Sequence, residues 1–212
     1  MFCHCCASDD KENQLDLAPE LKTTPKAFGT LADEVQEDDS RFIVVLKGGT
    51  GSFGLSVDRS NSVCVIVRDV TGGAAAIWNE SNPTKQIKPF DQILEVNGEP
   101  CSGEDISSKL EDRDVKDIRL TVKRPEERTL VLHKPGRLGI DVNYRKTSAK
   151  PWIASVGSGL VAEWNKAKPE MAVAANDRIV SVNGHSGATD ILLEKLRSSD
   201  DTMVLTVMHY DT

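Results

Sequence analysis

No apolar run in this 212-residue chain is longer than about five residues, against the roughly 20 that a membrane-spanning helix needs. No stripe of Lys and Arg is present either. The balance is 26 Lys+Arg against 33 Asp+Glu, a net charge of −7. Nucleic-acid-binding domains carry a basic patch, so nucleic acid is not expected as a partner. Cysteines do not come in a paired framework: there are five, and Cys3, Cys5 and Cys6 are crowded together. That excludes a disulfide scaffold and favours a reducing, cytoplasmic setting. The first residues lack the apolar core of a secretory signal. His133, His185 and His209 lie near no Cys or carboxylate group at ligand spacing, so no metal is expected. Val156-Gly157-Ser158-Gly159-Leu160 places Val and Leu where a nucleophile elbow needs glycines. No catalytic constellation and no cofactor motif survive, and the chain is expected not to be an enzyme.

Residues 1–40 are acidic and polar, with Pro19 and Pro25 and no sustained periodicity. Such a segment cannot bury enough apolar surface to offset its ordering entropy, and it is expected to be a disordered tail. Its cysteine cluster admits three readings. Cys3, Cys5 and Cys6 are reachable for S-acylation, which would bring the chain to the cytoplasmic face of a membrane. They are also three thiols beside His4, although the spacing lacks the two-residue gaps of a zinc knuckle. Or they are incidental. Phe2 excludes N-myristoylation.

Beyond the tail the chain repeats itself. Gly73-Ala74-Ala75-Ala76-Ile77-Trp78-Asn79 aligns with Gly159-Leu160-Val161-Ala162-Glu163-Trp164-Asn165. At the same offset, Asp91-Gln92-Ile93-Leu94-Glu95-Val96-Asn97-Gly98 aligns with Asp177-Arg178-Ile179-Val180-Ser181-Val182-Asn183-Gly184. Phe53-Gly54-Leu55 aligns with Leu138-Gly139-Ile140 after a small slip. Two copies of one unit follow, at about 41–125 and 127–210, each large enough for its own core. The four-residue linker Arg124-Pro125-Glu126-Glu127 predicts that they sit close.

Each copy reads as β-β-β-α-β-α-β. In the first, Phe42 to Leu46, Leu55 to Val57, Val63 to Val67, Ile93 to Val96 and Asp117 to Val122 are strands by β-branched content and alternation. Ala74 to Trp78 is a short helix, and Ser102 caps a second that runs to about Leu110. In the second copy, helices are expected over Leu160 to Trp164 and from Thr189 or Asp190. The class is α+β, mainly β: a small, partly open barrel of five to six strands and two helices, in tandem. Trp78 and Trp164 occupy equivalent positions and are expected in the cores. Trp152 has no counterpart and is expected on a sheet face or between the copies.

Gly49-Thr50-Gly51-Ser52-Phe53-Gly54 spells GxGxxG. A dinucleotide site needs a helix directly after these glycines, and here a strand follows. A kinase loop wants Val two residues after the last Gly, where Ser56 stands, and no His-Arg-Asp or Asp-Phe-Gly appears. The second copy decides between them, because it has no GxGxxG. What the copies share is hydrophobic-Gly-hydrophobic.

A hydrophobic-Gly-hydrophobic loop, a strand, Asp-x-Ile-[Leu/Val]-x-Val-Asn-Gly and a final helix, in that order and twice, resemble the PDZ domain. The resemblance implies a binding module. The extended carboxyl terminus of a partner protein adds as a strand beside the second strand, in a groove walled by the second helix. Carried onto this chain, it implies carboxylate-binding N–H groups at Phe53, Gly54 and Leu55, with a pocket of Phe53, Leu55, Val57, Ser107 and Leu110. In copy two it implies N–H groups at Leu138, Gly139 and Ile140, with a pocket of Leu138, Ile140, Val142, Leu193 and Leu196. Lys47 and Lys134 or Arg137 would add attraction for the carboxylate. Where many members carry a His that selects Ser or Thr in the ligand, Gly103 and Thr189 stand. Gly103 leaves room for a larger or apolar side chain, and Leu193 suggests an apolar preference. The function expected is a scaffold or adaptor for the C-terminal tails of other proteins. Two alternatives stay open: a structural membrane-tethering protein with paired PDZ domains, and one degenerate groove used for packing between the copies.

Overall fold

The computed structural model describes residues 40–49, 52–61, 64–101, 103–111, 116–198 and 201–211. These fall within one compact unit, Asp38–Thr212. The cysteine cluster and the expected cap Ser102 lie outside the described residues.

The first copy runs β1 (Arg41–Lys47), β2 (Leu55–Asn61), β3 (Cys64–Val70), α1 (Gly73–Ser81), β4 (Gln92–Val96), β5 (Glu99–Pro100), α2 (Gly103–Glu111) and β6 (Asp117–Lys123). The second runs β7 (Glu126–His133), β8 (Ile140–Asn143), β9 (Trp152–Val156), α3 (Leu160–Ala167), β10 (Arg178–Val182), α4 (Thr189–Leu196) and β11 (Thr202–His209). The sheet orders are β1-β6-β4-β3-β2, with β5 on β4, and β7-β11-β10-β9-β8. All pairings are antiparallel. Both sheets are open; neither closes into a barrel.

Alternation sets the register. In β1, Phe42, Val44 and Leu46 are buried, and they lie opposite Val122, Leu120 and Ile118 of β6, also buried. A slip of one residue would turn all six toward water, so the apolar pattern pins the pairing. In copy two, Leu132 and Leu130 face Met203 and Leu205 in the same way. The next inward position of β7 is Arg128, whose side chain reaches Glu126 at 2.6 Å and the Ala172 carbonyl.

The repeated Asn residues hold the backbone. Asn97 and Asn183 have φ of 55° and 49° at the turns after β4 and β10, a left-handed geometry that Asn tolerates. Each also accepts a backbone N–H from the last strand of its copy, from Arg119 at 2.9 Å and from Val204 at 2.7 Å. Asn79 and Asn165 each clamp one loop residue through both its N–H and its C=O, at Ile87 and Val173. Trp78 and Trp164 are half-buried against their cores. Each donates its indole N–H to the same loop, to the carbonyls of Lys85 and Met171.

Only Arg124 and Pro125 separate β6 from β7. The seam between the copies brings residues of β2 and β3 and the loop before β4 against the loops that lead into β9 and β10, the start of β10 and the end of β11. Ile66 and Tyr210 are both buried there, with Phe90, Ala149 and Met208 around them. The Tyr210 hydroxyl donates to the Phe90 carbonyl at 3.0 Å, and Asn61 donates to Asn176 at 2.8 Å. At the centre, Asp58 and Arg178, each 0% exposed, form an ion pair at 3.3 Å. Trp152 lies under that guanidinium, 4.9 Å from ring centre to carbon. Its lack of a counterpart in copy one now has a reason: it belongs to this seam. His209 ties the end of β11 down by bonding Asp177 at 2.9 Å and Asp211 at 3.1 Å. Burial pushes the Asp177 carboxyl up from its ordinary range, against the bonds it accepts from Ala174, His209 and Tyr210.

Candidate functional site

β2 and β8 are the last strands of their sheets. Among the described residues each has a neighbour on one edge only, which leaves a row of backbone N–H and C=O groups for another chain. In both copies a glycine loop leads into this strand, and the second helix belongs to the same core.

The two loops are anchored alike. The carbonyl of Ser52 accepts from Ala74 at 3.3 Å, and that of Phe53 accepts from Ala75 at 2.9 Å. In copy two, Arg137 accepts from Leu160 at 2.9 Å, and Leu138 accepts from Val161 at 3.1 Å. Thus the first turn of α1 or α3, which has no carbonyl of its own helix to bond, takes those of the loop instead. The Gly54 and Gly139 carbonyls accept from Thr71 and Gly157. Gly54 and Gly139 have φ of 68° and 74°. A Cβ there would lie 1.8 Å from the Gly72 carbonyl oxygen or 2.6 Å from that of Ser158. Glycine is required at both by backbone shape and by backbone contact. Thr50 and Gly51, the middle of the GxGxxG string, lie outside the described residues.

Along the first groove, Leu55, Val57 and Leu110 are half-buried against the core, and α2 packs along β2. Ser107 is half-buried one turn before Leu110, and Ile106 beside it is fully buried. Phe53 is 4% exposed, so its side chain serves the core and little of it lines an open pocket. Along the second groove, Leu138, Ile140, Val142 and Leu196 are half-buried against the core that contains Leu192. Leu193 is half-buried next to Leu192 on the same helix. Its place matches Ser107 of copy one. Gly103 and Thr189 are the first residues of α2 and α4.

The three basic residues have different fates. Lys47 is paired with Asp117 at 2.7 Å. The bond from its ammonium holds the Asp117 carboxyl below its usual range. Lys134 donates to the Ser198 carbonyl. Arg137 is exposed, and among the described residues its side chain has no partner.

Residue types alone miss three features at or near the grooves. Ser52 carries no charge and belongs to no shared motif, yet its hydroxyl oxygen accepts the Gly54 N–H at 3.0 Å. Asp58 follows Val57 on β2, so alternation turns it to the opposite face, where it meets Arg178. Arg178 stands where copy one has Gln92, and Trp152 where copy one has Ile66. These departures from repeat symmetry are the available signal for a seam.

No family model matches the chain, and no curated protein sequence matches it. Among solved structures, INAD PDZ45 in complex with NORPA CC-PBM is similar over 82% of this chain and 93% of that one, with 17% identity and a TM-score of 0.36. INAD PDZ45 in complex with NG2 peptide is similar over 81% and 90%, with 18% identity and a TM-score of 0.35. The Dlg1 PDZ2 of the choanoflagellate Monosiga brevicollis is similar over 40% of this chain and 100% of that one, with 26% identity and a TM-score of 0.32. The chain is two copies of one unit, each with an anchored hydrophobic-Gly-hydrophobic loop and a Val-Asn-Gly turn, and the three solved structures to which it is similar are of PDZ domains.

Proposed function

We propose that this protein is a non-enzymatic scaffold or adaptor that takes the C-terminal tails of partner proteins as added strands on β2 and β8. One observation carries the reading: in both copies a glycine loop leads into an edge strand whose apolar residues, with one or more from the second helix, are left half-buried against a single core. Main-chain bonds to the edge supply affinity, and the pocket residues beside the loop supply selectivity for the last side chain. Two grooves in one compact unit raise avidity for a paired or clustered partner.

The test is selection from a random peptide library displayed with free carboxyl termini, using the full chain. Peptides ending in an apolar residue should be enriched, and amidation of their termini should weaken binding by about tenfold or more. Absence of any enrichment would overturn the reading. The tail cysteines extend it to a membrane surface, on the argument that several acyl chains together anchor stably. Replacing Cys3, Cys5 and Cys6 together by Ser should move the protein from the membrane pellet of a cell to the soluble fraction. An unchanged distribution argues against acylation.

A further inference from the structure

The two loops differ at one donor. In copy one, the Gly54 N–H already has an acceptor, the hydroxyl oxygen of Ser52 two residues earlier. In copy two, the aligned position is Arg137, which has no hydroxyl, and among the described residues the Gly139 N–H meets no acceptor. The carbonyl anchoring is shared: three carbonyls of each loop are engaged by the same first turn and the same preceding strand end. Among the described residues, the difference at this donor goes with the side chain at one position.

A carboxylate entering the first loop must displace a bond that is already made. A carboxylate entering the second displaces water alone. The charge around each loop points the same way. Lys47 near the first is held by Asp117, whereas Arg137 beside the second is exposed and without a partner among the described residues. The apolar walls agree as well, since Phe53 is buried in the core while its counterpart Leu138 is half-buried.

We propose that Ser52 is a specificity-determining residue: its hydroxyl caps the first loop, so that groove two is the receptor for free carboxyl termini and groove one discriminates weakly between a terminal carboxylate and a neutral chain end. This rests on the reading of both grooves as strand-accepting sites. It assigns them different ligand chemistry. The neutral hydroxyl satisfies the amide as a ligand oxygen would, and an uncharged chain end loses less by leaving it in place than a carboxylate does.

The experiment reads each groove separately in the full chain through the amide resonances of Gly54 and Gly139. The probe is a degenerate pool of acetylated hexapeptides ending in Val or Leu, used once with free carboxylates and once as carboxamides. Gly139 should titrate with the acid pool at least about tenfold more tightly than with the amide pool. Gly54 should show a ratio of about threefold or less. Ser52→Ala should raise the Gly54 ratio toward that of Gly139, and Ser52→Thr, which keeps the hydroxyl, should leave it low. Without any peptide, Ser52→Ala should also speed hydrogen exchange at the Gly54 amide. An acid-to-amide ratio at Gly54 as large as at Gly139 in the unaltered chain overturns the proposal, as does Ser52→Ala leaving that ratio and the Gly54 exchange rate unchanged. Silence at both amides overturns the strand-accepting reading itself, which is a different and separable result.

Discussion

Replacing Asp58 by Ala is expected to destabilise the protein by about 3–5 kcal/mol, the cost of leaving a buried charge without its partner. Both members of the Asp58–Arg178 pair are 0% exposed. The carboxylate holds more than the guanidinium: it also accepts the Ser60 N–H at 2.8 Å and the Ala149 N–H at 2.6 Å. On the other side, Arg178 donates to the Lys150 carbonyl at 2.9 Å, and among the described residues its Nε and Nη2 have no acceptor. Alanine at 58 would leave a cation in the seam with one carbonyl and the face of Trp152. The repeats would then find it easier to part than to keep that charge buried. Urea denaturation should show a lower midpoint, and one cooperative transition should resolve into two as the copies uncouple. Removing the cation as well should restore much of the loss, because a buried pair replaced by apolar groups is often neutral. Arg178→Met in the Asp58→Ala background is therefore expected to be more stable than Asp58→Ala alone. An Asp58→Ala protein within about 1 kcal/mol of the parent would show that water reaches the pair.

The seam also bears on the grooves. Val57 and Asp58 are neighbours on β2, one turned to the groove and the other to copy two. Loosening the seam frees the strand on which the partner's tail would pair, so weaker binding at groove one should accompany the lost stability. Groove two has no such tie, since the position matching Asp58 is Asn143, which is exposed at the end of β8.

What is legible in the sequence is what rests on local pattern. The alternation of Phe42, Val44 and Leu46 against Ile118, Leu120 and Val122 marks strands with one buried face, and these strands pair. Asn97-Gly98 and Asn183-Gly184 mark turns because few residues accept a left-handed backbone. Repetition does more than any motif: it identifies Gly54 and Gly139 as the positions that matter and discounts Gly49-Thr50-Gly51. What is not legible is pairwise and distant. Nothing near Asp58 marks it as the partner of Arg178, and each alone reads as a polar strand residue. Lys47 reads as a carboxylate attractor because Asp117 is far away in sequence and directly opposite it in the sheet. Ser52 is hidden for another reason: a hydroxyl accepting a bond from the second residue on is a geometric event that residue type alone does not specify.

Gly54→Ala is expected to remove groove one. An alanine at φ 68° carries a backbone penalty of about 1–2 kcal/mol. The steric term is larger. The new Cβ would stand 1.8 Å from the Gly72 oxygen, 2.3 Å from its carbon and 2.9 Å from the Gly73 nitrogen. All three atoms are backbone, so no side chain can swing aside. The loop has to lift off α1 and give up the bonds that Ala74 and Ala75 donate to it, each worth about 1 kcal/mol. Without them the edge strand loses its fixed entry. Gly139→Ala should do the same in copy two, more mildly, because its nearest clash is 2.6 Å. A control separates the two causes. Gly98 has φ 85° and nothing within 4 Å of where an alanine methyl would stand, so Gly98→Ala should carry only the backbone penalty. Thermal or urea unfolding of the three variants should rank Gly54→Ala as most destabilised, then Gly139→Ala, then Gly98→Ala. Peptide titration should show each loop variant blind at its own groove and intact at the other. If Gly54→Ala lost no more stability than Gly98→Ala, the loop would not be held against Gly72 and Gly73. The loop would then have to be ordered by the ligand, at a cost in affinity that a preformed loop avoids.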